Sequence, residues 1–365
     1  MLPLENLRVI DITQNVAGPY AAMILAELGA AVTKIEPPRG DATRSWGPPF
    51  WNGYSASYLA LNRNKDSLKL DLTTPKGKKA LLQLISKADV FLESGRLGSM
   101  KRLRLDYANL RKINPRLIYA ELTAFGITGP RASEAGYDPL MQAVGGIMSV
   151  TGRAGQEPTR VGVSIVDMAT GMWTAISILG ALRLRDKTGR GHKVTTALYE
   201  TAIAWMAIQF GSYWASGVAP TGWGSGVSMI SPYEAFRATD GWVVIGAGND
   251  KLFESLSTVL TRPEWALDQR FANNADRVKN RVELHDLIEA ITITKPKKYW
   301  ERTLKKMNIP VALLLTLDDV SKDSQLRASG IVQSIKNPKI KNFKSIGLPL
   351  RIDGDRPPLR MPPPE

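Results

Sequence analysis

One acid stands apart from its surroundings. The run Arg160 to Leu182, RVGVSIVDMATGMWTAISILGAL, carries a single charge between its flanking arginines, the carboxylate of Asp167. An acid isolated in an apolar segment is the first candidate for chemistry in this chain. The same spacing admits a structural reading, because Ser164 and Asp167 form an S-x-x-D pattern ahead of an apolar helix, a capping-box arrangement. It also admits a membrane span, since about 20 apolar residues suffice. Gly, Ser and Thr recur in the run and Arg183 and Arg185 follow at once, so a buried helix of a large α/β domain fits better.

Two loops could bring a ligand to such an acid. Pro37 to Trp51, PPRGDATRSWGPPFW, has the prolines, arginines and tryptophans of an ordered surface loop, either a binding loop or a rigid lid. Gly217 to Gly226, GVAPTGWGSG, is permissive enough for close ligand approach, or for a hinge. The chain of 365 residues contains no Cys, which excludes disulfides, thiolate nucleophiles and zinc–thiolate sites. Its two histidines, His192 and His285, form no cluster, so no metal site is expected. Nothing at the N-terminus reads as a signal peptide, so a cytoplasmic protein is expected. The formal charge of +14 calls for an anionic partner, whether nucleic acid, membrane surface or a phosphate-bearing molecule. Basic residues are scattered, with loose clusters at Lys101 to Arg116 and Lys336 to Lys344, which argues against nucleic acid.

The elements that must position these residues follow from periodicity. LRVIDIT from Leu7 reads as a strand, AAMILAELGA as a helix and AVTKIE as a second strand, giving one βαβ unit. Its turn holds only Gly18, so the dinucleotide fingerprint is absent, although Glu36 ends the second strand where a ribose-binding acid could sit. Helices near Gly77 to Lys87 and Tyr107 to Ile113 alternate with strands ADVFLE and LIYAELT. After the Asp167 run come a strand in GRGHKVTTALYE and a helix over Thr201 to Trp214. A hairpin at Asp240-Gly241 opens a largely helical stretch. The expected organisation is a doubly wound, Rossmann-like large α/β domain over residues 1–215 and a Gly-rich linker over 216–232. A smaller α+β domain over 233–315 and a Pro-rich segment over 316–365 that returns to the large domain would follow.

In that order the chain resembles the class III coenzyme A transferases, the family of formyl-CoA:oxalate, carnitine and succinyl-CoA:glutarate CoA-transferases and α-methylacyl-CoA racemases. The resemblance covers nearly the whole length. Its landmarks are LRVIDITQNVAGPYAAMILAELGAAVTKIEPP, GDATRSWGPPF, LNRNKDSLKLDL, LRLDYANLRKINPRLIYAELTAFGITGP, AGYDPLMQAVGGIMSVTG and VDMATGMWTAISILGAL. It implies that Asp167 is a covalent nucleophile, with helix N-terminal amides favouring its ionised form. It implies that Val16 and Ala17 lie in the active-site loop and that Arg44 and Trp46 belong to a loop closing on CoA. Arg102 and Arg39 would meet the adenosine-phosphate end of CoA, and Tyr137 and Asp138 would form a Tyr–acid pair beside the nucleophile. Gly222, Gly224 and Gly226 would form a mobile loop shielding the intermediates. No permanent cofactor is implied, because the CoA thioester is itself the substrate, and two chains would interlock as a homodimer. Neither nucleic acid nor membrane is an expected partner.

The sequence departs from the family pattern at ESGRLGSM, at Met229 where a histidine is common, at IPVALLL and at the PPPE ending. These departures bear on the acceptor pocket. The racemase branch moves a proton with a histidine whose place Tyr137 takes here, and a third possibility is a CoA-binding protein with a relic site. GDATRSWGPPF and SYLALNRNKDS look most like the branch that pairs succinyl-CoA with glutarate or related dicarboxylates.

Overall fold

The apolar runs of the first two hundred residues become the strands of one parallel sheet. In the computed structural model, which describes residues 1–337 and 339–365, these are β1 (Arg8–Asp11), β2 (Ala31–Glu36), β3 (Lys65–Lys69), β4 (Val90–Glu93), β5 (Ile118–Thr123) and β6 (Lys193–Ala197). They lie in the order β3-β2-β1-β4-β5-β6, every neighbouring pair parallel. Val9 of β1 sits opposite both Val32 of β2 and Val90 of β4. The order reverses between β1 and β4, and at such a switch point the turns leaving two adjacent strands diverge to opposite faces and open a crevice.

Strand periodicity of two divides the core into two layers. Val9, Leu92 and Ala120 face one way, against Leu25 of helix α1 (Ala17–Glu27). Ile10, Phe91 and Tyr119 face the other, against Leu81 of α2 (Pro75–Ile85) and Leu110 of α3 (Tyr107–Ile113). β4 and β5 are buried along their whole length, as strands covered on both faces must be. All of α1 but Tyr20 is buried, which accounts for a sequence apolar all round.

The Asp167 run forms most of a 24-residue helix, Ile165–Thr188, preceded in the chain by the short helix α4 (Asp138–Val144); we number it α5. It alone, among the described residues, is long and apolar enough to cross a membrane, yet half of that stretch is buried. Ala175 and Ile178 pack into the core layer containing α1, while Met168, Met172, Trp173 and Ile176 stay exposed on the other side. Gly171 is what lets the two helices meet: a Cβ there would lie 2.6 Å from the carbonyl oxygen of Ala17. The chain then runs through β6 into α6 (Leu198–Trp205), which stops at Met206; a separate helix, Ala207–Ser216, follows in place of the single helix expected over Thr201 to Trp214.

Two compact units result. The first comprises residues 1–145, 161–207 and 324–365, the second residues 146–160 and 208–323. The second unit is wider than the stretch 233–315 read from sequence. The reason is a two-stranded ladder in which Trp223 and Gly224 pair with Arg153 and Gly152, so the glycine-rich stretch is built into this unit. Its main sheet is antiparallel, β7 (Tyr233–Ala238), β8 (Gly241–Gly246) and β9 (Val311–Leu313), with the expected turn at Asp240. Phe236, Ile245, Phe253, Leu284 and Trp300 form its core. The C-terminal segment belongs to the first unit, where Asn64 Oδ1 accepts hydrogen bonds from the amides of Arg360 and Met361 at 2.7 and 2.8 Å.

Candidate active site

The N-terminus of α5 is capped from outside. Ser164 occupies the cap position but its side chain accepts nothing, so the capping box suggested by S-x-x-D does not form. The amides of Val166 and Asp167 donate instead to Oδ2 of Asp138, at 2.8 and 3.2 Å. Asp138 Oδ1 accepts from Gln142 Nε2 at 2.6 Å, and Gln142 Oε1 accepts from the Val161 amide at 2.8 Å. The acid on α4 therefore fixes both the start of α5 and the segment leading into it. Asp138 is buried with both oxygens engaged and is not among the residues lining the cleft, so its charge supports the start of α5. The amides expected to favour ionised Asp167 are likewise taken by Asp138.

Asp167 is left with a carboxylate to which no described residue donates a hydrogen bond. Its pKa is pushed up to about 7, first by burial and second by the nearby charge of Asp138. It lines a cleft of about 240 Å³ in the first unit. The walls come from the turns that leave β1 and β4, on either side of the switch point, and from Tyr137 and Trp46. Gly18 is needed in the first turn because a Cβ there would fall 2.3 Å from Thr13 Cβ.

Two buried lysines hold that turn. Lys34 Nζ donates to the Thr13 carbonyl at 2.8 Å and pairs with Asp41 at 2.7 Å. Lys65 Nζ donates to Pro19 O at 2.8 Å and to Asn62 Oδ1 at 3.0 Å, and pairs with Asp11 at 3.2 Å. These bonds give the LNRNKDSLKLDL landmark its physical content. Burial drives the Lys65 ammonium down to about 8 despite Asp11. The second turn is anchored by Glu93, whose Oε2 accepts from the Gly95 amide at 2.6 Å. Burial, reinforced by Glu121, pushes the Glu93 carboxyl up to about 7.

Of the residues singled out in the sequence, Val16, Ala17, Trp46, Tyr137 and Asp167 meet at this cleft. Arg44 does not line it: Nε and Nη2 each bond a Glu36 oxygen at 2.7 Å, Nη2 also meets Tyr58 Oη at 2.6 Å, and the guanidinium lies 4.0 Å over the Tyr58 ring. Burial would raise the Glu36 carboxyl, but hydrogen bonds from Arg44, Ser67 and the Asp41 amide hold it down at about 2. Glu36 is thus occupied as an ion-pair partner where a ribose-binding role was conceivable. Arg39 and Arg102 are exposed and outside the cleft lining. Gly222, Gly224 and Gly226 lie in the second unit; Gly222 backs onto Gly152, whose carbonyl oxygen would sit 2.3 Å from an added Cβ.

Sequence reading missed Gln14, Asn15, Ser94, Gly95 and Arg96, all of which line the cleft. The usable signal was topological: they directly follow the two strands that flank the switch point.

A model of CoA-transferase family III matches residues 4–365. Succinyl-CoA:glutarate CoA-transferase from Mus musculus is 35% identical over 365 residues, spanning 100% of this chain and 84% of that protein. Acetyl-CoA:oxalate CoA-transferase from Acetobacter aceti is 37% identical over 332 residues, 90% of this chain and 85% of that one. The crystal structure of a CAIB/BAIF family protein from Brucella suis aligns with a TM-score of 0.89 at 37% identity, covering 100% of this chain and 96% of that one. With a full-length family match and relatives of this identity, the chain belongs to CoA-transferase family III.

Proposed function

We propose that this enzyme moves coenzyme A from succinyl-CoA to a short dicarboxylic acid, with Asp167 as the covalent carrier. The observation that carries the reading is the unpartnered carboxylate of Asp167 in the switch-point cleft of a family III chain. Asp167 attacks the thioester carbonyl, the C–S bond breaks, and an aspartyl–acyl anhydride and CoA thiolate form. The thiolate attacks the aspartyl carbonyl, releasing the donor acid and leaving an aspartyl-CoA thioester. The acceptor carboxylate attacks that carbonyl and expels the thiolate, giving a second anhydride. Attack of the thiolate on the acceptor carbonyl then yields acceptor-CoA and free Asp167. Overall one thioester is exchanged for another of similar energy, the anhydrides being higher-energy intermediates between them, so no ATP enters the balance.

The names of the relatives from Mus musculus and Acetobacter aceti support a dicarboxylate acceptor. The racemase alternative finds no support, since no histidine lines the cleft among the described residues. His192 contacts Thr188 Oγ1 at 3.2 Å, and His285 stacks on Phe236 in the second unit. The apolar face of α5, with Met172, Trp173 and Ile176 exposed, together with Leu140 and Val144 of α4, supports a homodimer that covers it. Arg39, Arg102 and the glycines at 222, 224 and 226 keep their proposed roles toward CoA and in shielding. Assaying CoA transfer from succinyl-CoA to glutarate, oxalate, mesaconate, carnitine and acetate tests the reading. Dicarboxylates should lead; a tenfold preference for carnitine or acetate, about 1.4 kcal/mol, would exclude the dicarboxylate assignment, and inactivity with all acids would exclude the transferase.

A further inference from the structure

The turn between β1 and α1 is held at both of its ends by one buried cation. Lys65 opens β3, its side chain has no exposed surface, and its ammonium meets three oxygens. They are Asp11 Oδ2 at the end of β1 at 3.2 Å, Pro19 O in the first turn of α1 at 2.8 Å, and Asn62 Oδ1 at 3.0 Å. Asp11 Oδ1 in turn accepts from the amide and the hydroxyl of Thr13. Between Thr13 and Pro19 stand Gln14, Asn15, Val16, Ala17 and Gly18, all of which line the cleft that holds Asp167.

The staple needs its third proton. An ammonium matches three acceptors with three donors, whereas a neutral amine has two and turns a lone pair toward the third. The Asp11 carboxylate and the Pro19 carbonyl have no proton to offer in return. Asn62 has an NH2, but it donates to Tyr58 O at 3.0 Å, and the amide cannot turn over without abandoning that bond. From the elements packed around it, the charged groups that face Lys65 are Asp11 on β1, Lys34 on β2 and Asp41 in the loop that follows. Lys34 and Asp41 pair with each other at 2.7 Å, so neither is free to take over the task.

We propose that Lys65 is a positioning residue for the transfer reaction, and that its ammonium must stay charged to hold residues 14–18 in the shape that Asp167 and its substrate use. Burial drives this ammonium down to about 8 despite Asp11, which brings its loss within reach of an ordinary assay. The proposal rests on the transferase reading, which supplies that assay.

Initial rates of CoA transfer to the fastest acid of the panel above, corrected for spontaneous thioester hydrolysis, are measured from about pH 6 to about pH 10. With an acid limb at about 7 and an alkaline limb at about 8, wild-type kcat/KM should fall about sevenfold between about pH 7.5 and about pH 9. The circular dichroism spectrum should stay unchanged across the limb, and activity should return at about pH 7.5. Lys65→Arg keeps its charge throughout and, whatever its rate, should change less than twofold over the same interval. Asp11→Asn removes the charge that raises Lys65 and should move the alkaline limb to lower pH. Asn62→Asp adds a charge beside Lys65 and should move the limb to higher pH. Neither Asp11 nor Asn62 lines the cleft, so a purely structural role would change rates without moving the limb in opposite directions. Any one of the three variants that folds, judged by thermal unfolding at about pH 7.5, decides the matter. A wild type with no alkaline limb up to about pH 10, or a limb at one pH in wild type and variants alike, would overturn the proposal and leave the transferase reading standing. A wild type inactive with every acid would defeat the transferase reading and this proposal with it.

Discussion

Replacing Asp138 with asparagine keeps the shape of the cap on α5 and removes its charge. Two effects follow, and they are separable. Asp138 accepts three hydrogen bonds, two from the amides of Val166 and Asp167 and one from Gln142. Asparagine can offer its single oxygen to the amides, but its NH2 then faces the NH2 of Gln142. That side chain cannot turn over without abandoning the Val161 amide. Converting charged bonds of about 1.5–3 kcal/mol into neutral ones of about 1, and losing one, should destabilise the protein by about 1 to 3 kcal/mol.

The second effect concerns Asp167, the proposed nucleophile. Asp167 is raised from 3.8 to about 7, with burial the larger cause and Asp138 the smaller. Removing the Asp138 charge should therefore recover less than half of the rise, about one unit or 1.4 kcal/mol. Only ionised Asp167 attacks, so the acid limb of kcat/KM should fall away below about pH 7 in the wild type and below about pH 6 in the variant. At about pH 6 roughly a tenth of wild-type Asp167 is ionised against about half in the variant, so the variant's rate relative to its own plateau should be about fivefold higher. The linkage has a definite sign: a carboxyl raised on folding adds stability below its unfolded pKa that is lost as pH rises through about 7. Asp138→Asn should shrink that loss, so its destabilisation should be smaller at about pH 8 than at about pH 5. Initial rates of CoA transfer and thermal unfolding across this range read both effects. An acid limb that stays put or moves upward would refute the electrostatic coupling.

Gly171→Ala should lower stability by about 1–3 kcal/mol, read as a fall in Tm, because the added Cβ falls 2.6 Å from the Ala17 carbonyl and forces α5 away from α1. Since α1 begins at the cleft wall, activity should fall with it; full activity at unchanged Tm would show that the helix contact is not tight. Arg44→Ala should cost about 3–5 kcal/mol, because Glu36 is wholly buried and would lose its partner. The wild-type pair contributes stability above the usual carboxylate range that is lost as pH falls through about 2. Acid unfolding of the variant should therefore begin at higher pH, and a raised KM for CoA at unchanged stability would instead make Arg44 a CoA ligand.

The parallel sheet was legible because each central strand is a continuous β-branched or apolar run bounded by turn residues, and because βαβ alternation leaves few other topologies. Asp167 was legible because a single charge in a long apolar helix stands out. The role of Asp138 was not, since its bonds to Val166 and Asp167 span 28 and 29 residues and no local pattern encodes them. Ser164 misled for the same reason, its capping place having been taken by a distant acid. Arg96 was hidden in ESGRLGSM, where departure from the family pattern drew attention and position beside the switch point did not. The glycine-rich stretch looked like a linker because a two-residue ladder with Gly152 and Arg153 leaves no periodic signal.

The central claim is that Asp167 carries the substrate covalently. Enzyme incubated with succinyl-CoA, quenched with borohydride and digested should yield the peptide containing Asp167 with its carboxylate reduced to the alcohol, and hydroxylamine in its place should leave the corresponding hydroxamate. Asp167→Ala should bind CoA, show neither mark and transfer nothing. An unmarked Asp167 peptide from an enzyme that is turning over, or substantial transfer by Asp167→Ala, would contradict the account.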